Sequence, residues 1–364
     1  MGWDAGPQLD HPREFVTIAR FWLDKGVAGF RLDAARYLVE AGRGPGQADQ
    51  PETHTLWRRF RSELDKSHPG TLLIGEVWTE LKTTVTYFGQ ADELQMVFDF
   101  DRMNALRKSV KSATSGDLLT TLCRSLGALP ANNGSQPGGL FGTFISHHDL
   151  HRQAGEITDR AGLRLIASLL LTLPGTPCLY YGEELGLTDG VGGDDPAKRE
   201  PMRWSTNAPH HGFSTASLWH PDSANAGVAG AAEQSADEAS LLSHYRRPVH
   251  LRRAHPALSA GATTVLSASG TGGSPVAWLR RSAAETVLVV ANLGDKTATD
   301  VLIAGAGTLP AERAFQPILG LSAAVRTDRS GKICDSPASA RARCVFWSSN
   351  SFPELPRTSS NFLE

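Results

Sequence analysis

The sequence predicts an α/β chain: part of a (β/α)8 TIM barrel, then a small antiparallel β-sandwich. Three observations predict it. Over the first two-thirds of the 364 residues, apolar runs ending in charge alternate with amphipathic helical stretches, the pattern of a parallel sheet with helical crossovers. The runs are apolar throughout, as strands buried on both faces require. Beyond an Ala-, Gly- and Ser-rich stretch at Pro221–Ala236, short runs are separated by Gly, Ser and Asp turns, as in antiparallel strands. A doubly wound open sheet is the rival fold, but no glycine-rich dinucleotide fingerprint follows any strand.

Each element has its own signal. Pro12–Lys25 reads as a helix with Phe15, Ile18, Ala19 and Trp22 on one face, Pro12 in the first turn and Gly26 as the stop. Val27–Asp33 is an apolar strand ending in charge, and so is Thr71–Glu76 after a helix at Thr53–Lys66. Leu94–Phe98 is the next strand, followed by helical segments from Met103 to Leu126. Gly142–Ser146 is another strand. A helix carrying Leu163, Ile166, Leu169 and Leu170 leads to a strand at Pro177–Tyr181. Glu238–Arg253 reads as a helix interrupted by Pro248. Strands then fall at Thr263–Ser269, Pro275–Arg281, Thr286–Leu293 and Val301–Ala304. The expected domains are residues 1–235 for the barrel part, 236–310 for the β domain and 311–364 for an irregular tail rich in Ser, Arg and Pro.

Composition narrows the functions. Hydrophobic residues at 40% and charged residues at 20% suit a globular protein. A net charge of -2 offers no basic field for nucleic acid or an anionic membrane. No apolar run is long enough to span a bilayer, and the first ten residues lack a signal-peptide pattern. Cys123 and Cys178 sit in apolar segments and are expected to be buried. Cys334 and Cys344 stand close together in the tail, where they could pair in an oxidising compartment or remain free. No spacing resembles a zinc site.

Three carboxylates stand at predicted strand ends: Asp33, Glu76 and Asp149. In a barrel, such ends converge on one pocket. Glycoside hydrolysis needs two carboxyls, one attacking the anomeric carbon and one donating a proton to the leaving oxygen. Arg31, two residues before Asp33, projects to the same side of a strand and could orient it. Taken singly, each acid reads equally as a cap or loop residue. Their order and context together say more.

That context resembles the α-amylase superfamily, glycoside hydrolase family 13. Gly29-Phe-Arg-Leu-Asp-Ala34 resembles its strand-four signature, Gly75-Glu-Val-Trp78 its strand-five signature, and Phe144-Ile-Ser-His-His-Asp149 its strand-seven signature. Pro174-Gly-Thr-Pro-Cys-Leu-Tyr-Tyr-Gly-Glu-Glu184 resembles the eighth strand and its turn. Arg199-Glu-Pro-Met-Arg-Trp204 and Arg252-Arg-Ala-His-Pro-Ala-Leu258 resemble later stretches. The resemblance implies Asp33 as nucleophile, Glu76 as acid/base and Asp149 as a third carboxylate gripping sugar hydroxyls. It implies His148 as a donor to those hydroxyls, and net retention of configuration. Trp78 and Tyr37 could stack on sugars; core packing and a solvated helix start are the other readings. Asp195 and Arg199 could reach a sugar from the eighth loop.

The implied substrate is an α-glucan or oligosaccharide, mainly α-1,4-linked, with no nucleic acid or membrane partner. Hydrolase (α-amylase or α-glucosidase) is the leading reading. A transferase such as a trehalose synthase, and a non-catalytic amylase-like scaffold, are the alternatives. Calcium is a family habit, but no site for it can be placed. The family's strand-three signature and strands one to three have no counterpart here. The sequence thus looks like strands four to eight plus the β domain, with Gly6–Asp10 resembling the run before strand four. A chain so divided is expected to be a fragment or one piece of an assembled enzyme, inactive or poorly folded alone. His147 stands where Asn is usual.

Overall fold

Apolar strands of three or four residues hide both faces only when helices cover them. The computed structural model packs helices against such strands, although Gly29–Leu32 and Thr176–Pro177 are only partly buried. It describes residues 11–129, 139–220, 224–305, 309, 312, 314–319, 325–329, 332–333 and 344–348. The run Gly6–Asp10 and the proposed partner Cys334 lie outside the described residues. The chain divides into two compact units at His250/Leu251.

In the first unit, five strands lie in chain order in one parallel sheet: β1 (Gly29–Leu32), β2 (Leu72–Gly75), β3 (Met96–Phe98), β4 (Leu140–Thr143) and β5 (Thr176–Pro177). The register pairs Gly29 with Leu72 and Leu32 with Gly75, so Asp33 and Glu76 emerge side by side at neighbouring strand ends. Each strand is shorter than expected. At the ends of β1 and β2 the charged residues Asp33 and Glu76 leave the ladder for turns.

Gly29 is required by the pairing. A Cβ there would lie 2.2 Å from the Leu72 carbonyl oxygen, which is backbone and cannot rotate away. Gly29→Ala is therefore expected to cost about 2–4 kcal/mol, read as a lowered urea midpoint. An unchanged midpoint would mean that β1 and β2 tolerate separation.

The helices bury one face each. Helix α2 (Pro51–Asp65) starts with Pro at its first position and buries Thr53, Trp57, Phe60 and Leu64. Trp57 Nε1 donates to the Ala35 carbonyl at 3.0 Å, tying this helix to the turn after β1. Asp99 caps the helix Phe100–Lys111, and Asp159 caps Arg160–Thr172. Helix α1 (His11–Asp24) differs from expectation. Val16, Ala19 and Leu23 face the core, whereas Phe15, Ile18, Phe21 and Trp22 are exposed. Its apolar stripe is wider than one contact surface, so periodicity alone did not select the inner face. Cys123 is also exposed, against expectation. Its helix, Gly116–Ala128, buries Leu118, Thr121, Leu122 and Ser125, and Cys123 falls on another face. Pro248 does not break its helix, which runs from Leu241 to Ala254. Among the described residues, no helix is long and apolar enough to cross a membrane.

The second unit is built on one antiparallel ladder of eight strands in the order β11-β10-β13-β8-β7-β6-β9-β12. These are β6 (Ala262–Thr271), β7 (Pro275–Arg281), β8 (Thr286–Asn292), β9 (Thr299–Ala304), β10 (Ala314–Leu319), β11 (Val325–Arg326), β12 (Lys332–Ile333) and β13 (Cys344–Ser348). Strand β6 pairs with β7 through its first half and with β9 through its second, so one strand joins the two parts of the ladder. Leu266, Ala277, Leu279, Leu288 and Val290 form part of its core. The last four strands lie in the stretch expected to be an irregular tail. That expectation is corrected: β13 pairs with β8 across more than fifty residues, a partnership that local composition does not reveal.

Candidate active site

The turns that leave β1 and β2 are joined by backbone and carboxylate together. Ala35 N donates to the Glu76 carbonyl at 3.0 Å, and Glu76 N to the Leu32 carbonyl at 2.9 Å. Ala34, held in the left-handed region at φ 45°, donates its N–H to Glu76 Oε2 at 3.1 Å. Arg31 bridges the two acids: Nη1 donates to Asp33 Oδ1, and Nη2 to Glu76 Oε2 at 2.7 Å. One guanidinium thus holds both carboxyls at the close quarters that two groups acting on one bond need. Their settings differ. The Glu76 side chain is 13% exposed and the Asp33 side chain 78% exposed.

Asp149 follows β4. Its carboxylate receives Arg199 Nη2 at 2.9 Å and lies 3.1 Å from His148 Nε2. Its backbone N–H points at His147 Nδ1 at 3.2 Å. Burial pushes His147 down to about 4, so this imidazole is neutral near pH 7 and packs as an aromatic against Trp78, Phe100 and Phe144. A pocket of about 300 Å³ is lined by Arg31, Glu76, His147, His148, Phe144 and Tyr180, among others. A second pocket, of about 370 Å³, is lined by Ala34, Tyr37, Glu76 and Trp78. Glu76 belongs to both.

The structure therefore brings Arg31, Glu76 and His148 to one pocket, with Asp33 attached through Arg31 and Asp149 through His148. Tyr37 and Trp78 line the second pocket and are exposed. Trp78 stacks one face on Phe100 at 4.8 Å and is otherwise partly exposed. Arg199 reaches the site through Asp149. Asp195 pairs with Lys198 and with Arg199 at 3.5 Å.

Three arginines were missed by sequence reasoning. Arg102 donates to the Pro174 carbonyl at 2.7 Å, Arg107 to the Ile145 and His151 carbonyls at 3.0 and 3.1 Å, and Arg152 to the Tyr181 and Lys198 carbonyls at 2.7 and 3.1 Å. All three are buried. They satisfy carbonyls in the irregular segments that carry the site, the work of a planar five-donor head. A charge in a helical or loop segment ordinarily marks a solvated face, so no local signal singles them out.

Among the described residues, the cluster fit to hold a metal is His147, His148 and Asp149. Two imidazoles and one carboxylate do not suit calcium, which takes six to eight oxygens. No step below uses calcium.

The family description "Alpha amylase, catalytic domain" matches residues 10–261. The chain belongs to the alpha-amylase family. Similar members of the family include the trehalose synthase/amylase TreS of Mycobacterium tuberculosis, 30% identical over 325 residues, covering 76% of this chain and 52% of that protein. A probable alpha-glucosidase of Rhizobium meliloti is 30% identical over 339 residues, with 79% and 58% covered. The chain spans about half the length of these curated relatives. Among solved structures, the alpha-amylase from H. orenii superposes with a TM-score of 0.77 at 25% identity, covering 94% of this chain and 65% of that one. The alpha-glucosyl transfer enzyme XgtA gives 0.73 at 26%, covering 94% and 67%. This alpha-amylase family fold joins a parallel sheet with helices to an antiparallel sheet.

Proposed function

We propose that this chain carries the chemistry of a retaining α-glucosidase-type enzyme acting on α-linked glucosides, mainly α-1,4-linked oligosaccharides. The observation that carries the reading is the Arg31 bridge between Asp33 and Glu76 at neighbouring strand ends. Asp33, exposed and oriented by Arg31, attacks the anomeric carbon. Glu76 gives its proton to the leaving oxygen, so the glycosidic bond breaks as the Asp33 ester forms. Glu76 then takes a proton from the incoming acceptor, which displaces Asp33 from the opposite face. Two displacements retain the α configuration. Asp149, His148 and Arg31 bind sugar hydroxyls, and Tyr37 and Trp78 face the leaving group. The five parallel strands correspond in this reading to strands four to eight of a (β/α)8 barrel.

A second reading concerns the acceptor. Several similar proteins are named trehalose synthases, including one of Thermus thermophilus at 30% identity over 372 residues. In that case a sugar hydroxyl, rather than water, takes the glucosyl unit. The chemistry up to the ester is common to both.

Incubating the full chain with maltose separates them. Hydrolysis yields glucose alone; transfer yields a new disaccharide, with trehalose the product to look for. Product whose first-formed anomer is β, or no turnover of any α-glucoside, would overturn the retaining assignment for this chain.

A further inference from the structure

Arg36 lies three residues beyond Asp33, yet its side chain turns away from the sugar pockets. Its Nε donates to Asp49 Oδ1 at 3.2 Å, and Nη2 donates to Asp49 Oδ2. Its Nη1 donates to the Trp78 carbonyl at 2.9 Å. Asp49 is held in turn. Its backbone, in the left-handed region at φ 58°, donates its N–H to the Arg36 carbonyl at 2.9 Å, and its carboxylate accepts the Tyr87 hydroxyl at 2.8 Å. Tyr87 is fully buried, with the His54 ring tilted against its own at a centroid distance of 4.5 Å. Burial and the Asp49 carboxylate push the phenol well above its ordinary range, so it stays a donor. A single run of charge-assisted hydrogen bonds therefore leads from the core, through Asp49 and Arg36, to the backbone of Trp78.

Two exposed rings end that run. Trp78 is held by its carbonyl and by the stack on Phe100. Tyr37 carries the Arg36 guanidinium over its ring at 5.2 Å. Both line the second pocket with Ala34 and Glu76. A plain loop staple would join any two surface segments. This one fixes the two aromatic walls beside the one carboxyl shared by both pockets.

We propose that Arg36, Asp49 and Tyr87 are positioning residues: they hold apart Tyr37 and Trp78, which in the reading above face the leaving group and therefore also seat any sugar acceptor, and so set how well that acceptor competes with water for the glucosyl unit. The seat rests on the retaining chemistry proposed above. Water is present at every orientation, whereas a sugar must be held with one hydroxyl at the reacting carbon. Aromatic faces a few ångströms out of place lose the stacking that holds it.

The test uses the full chain labelled with 5-fluorotryptophan, the Trp78 resonance being identified by its loss in Trp78→Phe. Arg36→Ala and Asp49→Asn should shift or broaden that resonance. They should lower the ratio of disaccharide transfer to hydrolysis by about tenfold, while cleavage of α-glucosyl fluoride, whose leaving group is too small to reach the two rings, changes by no more than about twofold. Arg36→Lys should recover only part of the ratio, because an ammonium cannot span both Asp49 oxygens and the Trp78 carbonyl with a fixed fork. An unchanged Trp78 resonance overturns the positioning role. Transfer and cleavage falling in parallel overturns the acceptor seat. A wild-type chain that turns over no α-glucoside defeats the retaining chemistry instead. In that event titration with glucose decides the seat: it stands if glucose moves the wild-type Trp78 resonance more strongly than that of Arg36→Ala, and falls if it does not.

Discussion

Asp33→Ala and Glu76→Ala should each lower turnover of α-glucosides by about 10³-fold or more, and azide should reveal which carboxylate is which. With Glu76 gone, an activated substrate still forms the ester on Asp33, and azide enters from the opposite side to give α-glucosyl azide. With Asp33 gone, azide must displace the leaving group directly, giving β-glucosyl azide. The two products differ in their anomeric proton couplings by NMR. The same azide anomer from both variants would refute the separate roles. Arg31→Ala should be nearly as damaging as either, since both carboxyls hang from its guanidinium. The exposure of Asp33 bears on the fate of the ester. A carboxylate that open to solvent leaves the ester within reach of water, and only an occupied acceptor gap would favour transfer.

The second large effect is on stability. Glu183 is fully buried behind β4, accepting from Ser146 Oγ at 3.1 Å, and burial pushes it up to about 8 from the ordinary 4.5. Below pH 4.5 both folded and unfolded chains hold the proton, and the contribution is intact. As pH rises above 4.5 the unfolded chain releases its proton while the folded chain keeps it until about 8, so stability declines across that window. Each pH unit is worth about 1.4 kcal/mol, so the loss is on the order of 5 kcal/mol by pH 8. Glu183→Gln keeps an acceptor for Ser146 and has nothing to ionise. Its urea midpoint should fall far less between pH 5 and 8 than that of the wild type. Parallel pH profiles for the two proteins would show that Glu183 titrates like an exposed acid.

The site was legible where chemistry and strand ends coincide. Asp33 and Glu76 each close an apolar run, Asp149 follows one within a few residues, and a parallel sheet gathers such ends whatever the loops do. Arg31 was legible for the same reason, through the two-residue period of a strand. What connects the loops was not. Nothing local ties Arg36 to its partner Asp49, thirteen residues away across a largely irregular loop. Arg102, Arg107 and Arg152 bind carbonyls that no pattern marks as exposed or buried. The β domain shows the same division. Strands β6 to β9 follow one another and announce themselves as short runs between Gly, Ser and Asp turns. Strand β13 gains its place between β8 and β10, and the Ser- and Arg-rich chain before it says nothing of that pairing.

Helix α1 has a practical consequence. Phe15, Ile18, Phe21 and Trp22 stand on its exposed side, a grease stripe along one helix. Such a stripe adsorbs to glass, to air–water boundaries and to phenyl resins while the chain is still folded. It also takes up environment-sensitive dyes in the native state, so dye fluorescence is a measure of this helix before it is a measure of unfolding.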